Sequence, residues 1–409
     1  MESIKELFRI GVGPSSSHTM APRFAAERFT KEHPGAKAFK VTLYGSLAAT
    51  GRGHLTDVAI KEALRPKPTK IIWRKSKVLP RHPNGMRFEA LDGKNQVIGS
   101  KKFYSLGGGA LEEEGRKSTK KKIYNLTKMT DIMKKCQKDG LTFWGYVEDC
   151  EGKNIWKFLE KVWKAMGDAI DRGLETEGVL PGGLNVPRKA NLFSVRATKL
   201  REAFARSGYI WGYAYASAEE NAAGGEIVTA PTCGSCGVVP AVLRYVADEM
   251  QLKTPKILQA LATAGLIGNI IKTNGSISGA EVGCQGEIGS ACAMAAGAAA
   301  QMFGGSVQQI EYAAEMGLEH HLGLTCDPIE GLVQIPCIER NAHAATRALS
   351  CALMASVFSD GIHLIPFDAV VKVMKETGKD LPEPYRETSK GGLTKIWNKK
   401  KGRARTDFN

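Results

Sequence analysis

Three cysteines in the second half of the chain stand where thiolate chemistry is feasible. They are Cys284 in Glu281-Val-Gly-Cys-Gln-Gly-Glu287, Cys326 in His320-His-Leu-Gly-Leu-Thr-Cys-Asp-Pro328, and Cys337 in Gln334-Ile-Pro-Cys-Ile-Glu-Arg-Asn341. Cys284 and Cys337 adjoin Gly or Pro, at expected helix ends, where free N–H groups and the positive end of the dipole favour thiolate over thiol. Thiolates are what a metal or an iron–sulfur cluster requires. Three of them on a four-iron cluster would leave one iron open, able to act as a Lewis acid. The spacing alone suits three core cysteines equally well, because free cysteine is among the most buried residue types. Cys233-Gly-Ser-Cys236 could be half of a zinc site or a redox pair, but no second C-x-x-C completes a four-cysteine set. Two small packing residues at a tight helix start is the plainer reading of that pair.

A second constellation lies at the other end of the chain, in Gly11-Val-Gly-Pro-Ser-Ser-Ser-His-Thr-Met-Ala-Pro22. Ser15, Ser16, Ser17, His18 and Thr19 follow a glycine–proline turn and precede a helical run from Ala21 to Phe29. Hydroxyls and backbone N–H groups at a helix start form an anion site suited to carboxylate or phosphate. A helix cap needs only one of those hydroxyls.

The elements that must position these groups fall into two patterns. Lys37 to Tyr44 alternates apolar and polar residues as a strand does; Thr69 to Trp73, Arg87 to Ala90 and Val97 to Leu106 are further strands, with Asp92-Gly93 as a turn. A helix is expected near Asp57 to Leu64. From Ile155 the period becomes helical, with Ile155, Phe158, Leu159, Val162, Met166 and Ile170 on one face. Val238 to Met250, Lys256 to Ile271, Glu281 to Met302, Val307 to Leu318 and Ile338 to Phe358 read as further helices. The expected fold is an α+β N-terminal domain over residues 1–140 followed by an all-α catalytic domain over 141–409, with 110–140 as the connection.

Composition narrows the function class. A chain of 409 residues with 43% hydrophobic and 24% charged residues can build sizeable cores and is not a disordered chain. Nine scattered cysteines argue against a disulfide scaffold and for reduced thiols in the cytosol. The N-terminus has acidic residues and no apolar core of a signal peptide, so none is expected. The uncharged run from Ile288 to Ile310 is rich in Ala, Gly, Ser and Gln, which suits a buried helix better than a membrane span. The formal charge of +15 concentrates in Arg65 to Arg81, Arg116 to Lys135 and Lys395 to Arg405. These stretches have little aromatic interleaving and no helix-turn-helix or finger spacing, so solvated faces are expected and no nucleic-acid partner.

Several long stretches, in order, give the chain a close resemblance to the iron–sulfur-dependent L-serine dehydratases (L-serine ammonia-lyases) in their single-chain form. They are Gly11–Pro22, Leu43–Asp57 (LYGSLAATGRGHLTD), His82–Met86 (HPNGM), Tyr104–Gly109, Leu180–Lys189, Glu219–Pro231, Ser276–Ala295, Glu319–Pro328 and Tyr385–Leu393 (YRETSKGGL). The resemblance implies that Cys284, Cys326 and Cys337 hold a [4Fe-4S] cluster and that the Ser15–Thr19 loop closes over a small amino-acid substrate. His18, His54 and His82 then become candidates for proton transfer or for the pocket wall, with the base unassigned, and Asn84 a candidate for binding the substrate's polar groups. It further implies L-serine deaminated to pyruvate and ammonia, in a cytoplasmic homodimer.

Many relatives end in a cysteine that caps the open iron, whereas no cysteine follows Cys351 here. An oxygen-sensitive cluster and little role for Lys399 to Asn409 are therefore expected. Related lyases acting on L-threonine or L-cysteine are the nearest alternative. A pyridoxal phosphate dehydratase would need a Schiff-base lysine, and none stands in a matching context. A non-catalytic iron–sulfur sensor is the rival from outside enzymology.

Overall fold

The computed structural model describes residues 1–116, 122–387 and 391–398. The tail from Lys399 to Asn409, with the expectation attached to it, lies outside the described residues, as do parts of two of the basic stretches.

The alternating pattern of the early strands becomes one face of a five-stranded sheet. Its order is Thr69–Arg74, Ala38–Tyr44, Gly85–Leu91, Val97–Ser105, Leu111–Glu113; the first pair is parallel and the others antiparallel. Phe39, Val41 and Leu43 point to the same side of their strand and pack with Phe88 and Phe103 against Ala25, Ala26 and Phe29 of the helix Ala21–Glu32. Each such aromatic or aliphatic burial contributes about 1.5–3 kcal/mol. The Asp92-Gly93 turn closes as expected: Asp92 accepts the N–H groups of Lys94 and Gln96, both at 2.8 Å. The helix at Thr56–Ala63 also matches its expectation.

From Met129 onward the described chain is almost wholly helical. At its centre is Ser290–Met302, buried on every side from Ser290 to Ala300. It packs against Thr254–Asn274, Val307–Glu319 and Cys337–Ser356. Small residues make this closeness feasible: a Cβ on Gly297 would lie 2.3 Å from Ile267, and one on Gly317 would lie 2.9 Å from the Ala293 backbone. Among the described residues no helix is long and apolar enough to cross a membrane.

Two helical expectations need correction. The run from Glu281 to Met302 is not one helix: Gly279–Val282 stops at Gly283, whose φ of 72° breaks the helix, and a five-residue π turn, Gln285–Gly289, leads into Ser290–Met302. Sequence reading also passes over Phe143–Glu151, Ala190–Ala197, Glu202–Ala222 and Phe367–Asp380, all of which are helices.

The chain begins inside the helical body. Ile4, Leu7 and Phe8 belong to its core, and Gly265 and Gly268 make room for them. Ile10–Val12 then pairs antiparallel with Glu226–Val228. This short ribbon carries the chain across to the sheet, so the serine-rich loop emerges at the junction of the two parts.

Candidate active site

The cysteine wall is built at three interruptions of helical structure. Gly283 lets the chain turn away from its helix, because a Cβ there would meet the Leu324 carbonyl oxygen at 2.7 Å, and Cys284 follows at the start of the π turn. Cys337 is the first residue of the helix Cys337–Ser356, just after Pro336. Cys326 is held in extended backbone: its N–H donates to Tyr385 O at 2.8 Å and its carbonyl accepts the Glu387 N–H at 2.6 Å. The Cys284 and Cys326 sulfurs and a Glu287 carboxylate oxygen lie within 4.8 Å of one another. Cys337 faces the same cavity. A Cβ on Gly279 would meet the Glu287 carboxylate at 2.7 Å and Cys326 Sγ at 3.1 Å, so glycine is required for this approach. All three cysteines are free.

This wall crowds acidic groups whose ionisation burial opposes. Hydrogen bonding with Cys326 and the nearby Arg340 guanidinium favour thiolate at Cys284, and Arg340 is itself anchored by donating to Thr325 O at 2.6 Å. Burial raises the Cys337 thiol above its ordinary value, and burial also raises the Glu287 carboxyl. Burial, reinforced by Glu287 and Cys284, pushes Glu387 up to about 8. Desolvation of this kind disfavours the charged form until a counter-charge arrives.

The opposite wall is neutral and tied to itself. Ser15 caps the π turn Ser16–Met20 by accepting the His18 N–H at 3.1 Å, and its own N–H donates to Thr19 Oγ1. His18 is bridged on both ring nitrogens, Nδ1 to Ser17 Oγ at 2.8 Å and Nε2 to Ser46 Oγ at 3.0 Å. Thr19 donates to the His54 carbonyl and Thr56 to the His18 carbonyl, which locks the loop onto the segment carrying His54. The His18 and His54 rings lie 4.6 Å apart. Burial holds His18 well below the usual histidine range and His54 at about 4, so both imidazoles are neutral at pH 7. His54 Nδ1 is buried without a hydrogen-bond partner among the described residues. The loop is pinned to the helical body through Asn221, whose Nδ2 donates to Pro14 O at 2.9 Å.

Between the walls lies a tight cavity. Ser15, Ser16, Ser17, His54, Cys284, Cys326 and Cys337 line it together. His18 and Thr19 are buried behind the serines. His82 and Asn84 are absent from the lining: His82 Nδ1 accepts the Asn84 N–H at 3.0 Å, which turns that pair towards each other. Cys233 and Cys236 lie in a small core with Met20, Ala169 and Ile227, in line with their packing reading.

Sequence reading missed Glu287, Glu387, Thr232 and Ser278, which also line the cavity, and Ser46 and Arg340 behind it. Glu287 and Glu387 sit inside stretches already singled out, three residues after Cys284 and at the head of the TSKGGL run. A carboxylate so near a cysteine was the available signal.

The comparisons agree with this architecture. The serine dehydratase alpha chain family matches residues 101–394, and the serine dehydratase beta chain family matches residues 3–68 and 61–116. An L-serine dehydratase of Streptomyces coelicolor is 40% identical, the match covering 96% of this chain and 98% of the relative. The L-serine dehydratase TdcG of Escherichia coli is also 40% identical with the same coverage, and an L-serine dehydratase of Haemophilus influenzae is 39% identical, again over 96% and 98%. With the alpha- and beta-chain regions joined in one polypeptide, the chain belongs to the serine dehydratase family.

Proposed function

We propose that this chain is an L-serine ammonia-lyase, which dehydrates L-serine and releases pyruvate and ammonia. The observation that carries the reading is a single cavity with three free cysteines on one wall and a hydroxyl-rich loop with a neutral imidazole on the other. The donor set fits an iron–sulfur cluster, since the Cys284 and Cys326 sulfurs converge with a Glu287 carboxylate oxygen and Cys337 lines the same cavity. A cationic cluster core would draw these thiols into the thiolate form. Cys284, Cys326 and Cys337 would hold it. When bound, the cluster supplies a Lewis-acidic iron for the departing β-hydroxyl.

The chain's own groups account for the rest. Ser15, Ser16 and Ser17 offer hydroxyls for the substrate carboxylate at the start of the helical turn. His18 holds Ser17 and Ser46 in fixed orientation, so the hydroxyl array is preorganised. His54, neutral and on the cavity lining, is the group we assign to take the Cα proton. Thr19 and Thr56 keep that imidazole against the loop. Loss of the Cα proton and the β-hydroxyl gives aminoacrylate, which tautomerises and hydrolyses to pyruvate and ammonia. His82 and Asn84 act as supports in this reading.

Anaerobic purification with iron and sulfide analysis, followed by an assay of pyruvate release from L-serine, L-threonine and L-cysteine, tests it. Iron-loaded protein that releases no keto acid from any of them would leave the sensor reading in its place. The homodimer is supported by a run of exposed apolar residues, Phe358, Ile362, Leu364 and Ile365, of the kind that marks association surfaces.

A further inference from the structure

One residue on the acidic side of the cavity has no role in the chemistry assigned so far. Among the described residues the cavity's lining contains no lysine or arginine, yet it brings together Cys284, Cys326, Cys337, Glu287 and Glu387. Arg340, hydrogen-bonded to Cys284, is the guanidinium set against this group. A [4Fe-4S] core offsets the thiolates, but two carboxylates would still face the cavity with one guanidinium between them. An amino acid whose carboxylate rests on the serine loop presents its ammonium to the other wall, where a buried anion needs a cation.

The two carboxylates are not equivalent. Glu287 lies 3.8 Å from Cys326 Sγ and is hydrogen-bonded by Thr232, so it belongs to the thiol wall. Glu387 is fixed differently. Its N–H donates to the Cys326 carbonyl at 2.6 Å, its carboxylate accepts the Ala280 N–H, and its φ of 57° is a left-handed value that a non-glycine residue adopts only where the surroundings enforce it. One of its carboxylate lone pairs is thus used for positioning, which leaves acceptor capacity on a residue that lines the cavity.

We infer that Glu387 receives the α-ammonium of the substrate and makes the site selective for α-amino acids over hydroxy acids of the same shape. The inference rests on the lyase reading and deepens it. A hydroxy acid without the amine would fill the same space and leave the Glu387 carboxyl without the cation that draws its charge out, so the analogue forgoes that ion pair.

The test compares L-serine with 3-hydroxypropanoate, which keeps the carboxylate and the β-hydroxyl and lacks only the ammonium. In Glu387→Gln, with iron and sulfide per chain unchanged, KM for L-serine should rise about 10- to 100-fold, as for loss of one hydrogen bond to a charged group. The inhibition constant of 3-hydroxypropanoate should stay the same or fall. Glu387→Asp, which keeps the charge one methylene further back, should raise KM for L-serine several-fold and again spare the inhibitor; it decides the matter if the Gln variant loses iron. A parallel change for both ligands, or no change in KM, overturns the assignment. Wild-type protein that holds iron but forms no pyruvate would instead overturn the lyase reading itself.

Discussion

The two walls of the cavity solve opposite problems. On the α+β side the polar groups of the loop are tied largely to one another: Ser15 caps a turn, His18 is bridged by two hydroxyls, and Thr19 and Thr56 clamp carbonyls. On the helical side thiols and carboxylates are crowded together with Arg340 as their guanidinium partner. The first wall is complete without a ligand. The second gathers buried thiols and carboxyls that ionise readily only when something cationic completes them, and that demand is the energetic mark of a prosthetic-group site. Recognition and preorganisation therefore belong to the neutral wall, and the demand for a cofactor belongs to the acidic one.

That division predicts unequal losses. Replacing Cys284, Cys326 or Cys337 by Ser should remove iron and abolish pyruvate formation, since a hydroxyl is a far poorer iron ligand than a thiolate. Cys233→Ser and Cys236→Ser should keep their iron, because these two lie in a separate core. Iron lost from the Cys233 variant but kept in the Cys284 variant would reverse the assignment of the walls.

His54→Gln should bind iron normally and lose about 10²- to 10⁴-fold in kcat, the usual range for a general base. A variant with near wild-type turnover would move the base elsewhere and return His82 to consideration. Ser16→Ala and His18→Ala should leave iron intact and weaken kcat/KM about 10- to 100-fold, by loss of a hydroxyl to the carboxylate or of the bridge that aims it. Unchanged kinetics in both would reduce the loop to a helix cap.

The smallest effect is in stability. His54 has a pKa of about 4 in the folded protein against 6.5 for a free histidine, so the unfolded chain binds the extra proton between those values. The stability from keeping it neutral is complete above about pH 6.5 and is withdrawn as pH falls towards 4, by about 2 kcal/mol at pH 5. Urea midpoints at pH 7 and pH 5 should therefore diverge more for wild type than for His54→Gln. Equal divergence would mean that the imidazole is not held neutral.

Much of the frame was legible because it depends on local pattern. The alternation over Lys37 to Tyr44 gives a strand at Ala38–Tyr44, and the helical period from Ile155 gives Asn154–Glu175. Glu202–Ala222 escaped because its Tyr, Ser and Gly residues blur the apolar stripe, being buried among other helices instead of facing water on one side. The single helix expected over Glu281 to Met302 failed for a different reason. The Gly283 φ is set by the approach of Leu324, more than 40 residues away in sequence, and no local pattern records that contact.

The sequence by itself determined the chemical vocabulary: thiols in glycine-rich settings, a run of hydroxyls before a helix, and histidines in marked stretches. Those are properties of residue type and near neighbours. Only the tertiary structure decided which of them meet. It set His54 on the cavity and His82 aside, although both are histidines in marked stretches. It brought Glu387 to Cys326 through a backbone bridge and placed Ser15 to Ser17 opposite Cys284. The physical reason is that a side chain's chemistry is fixed by its own atoms, whereas its partners, its desolvation and hence its charge are fixed by segments far away along the chain.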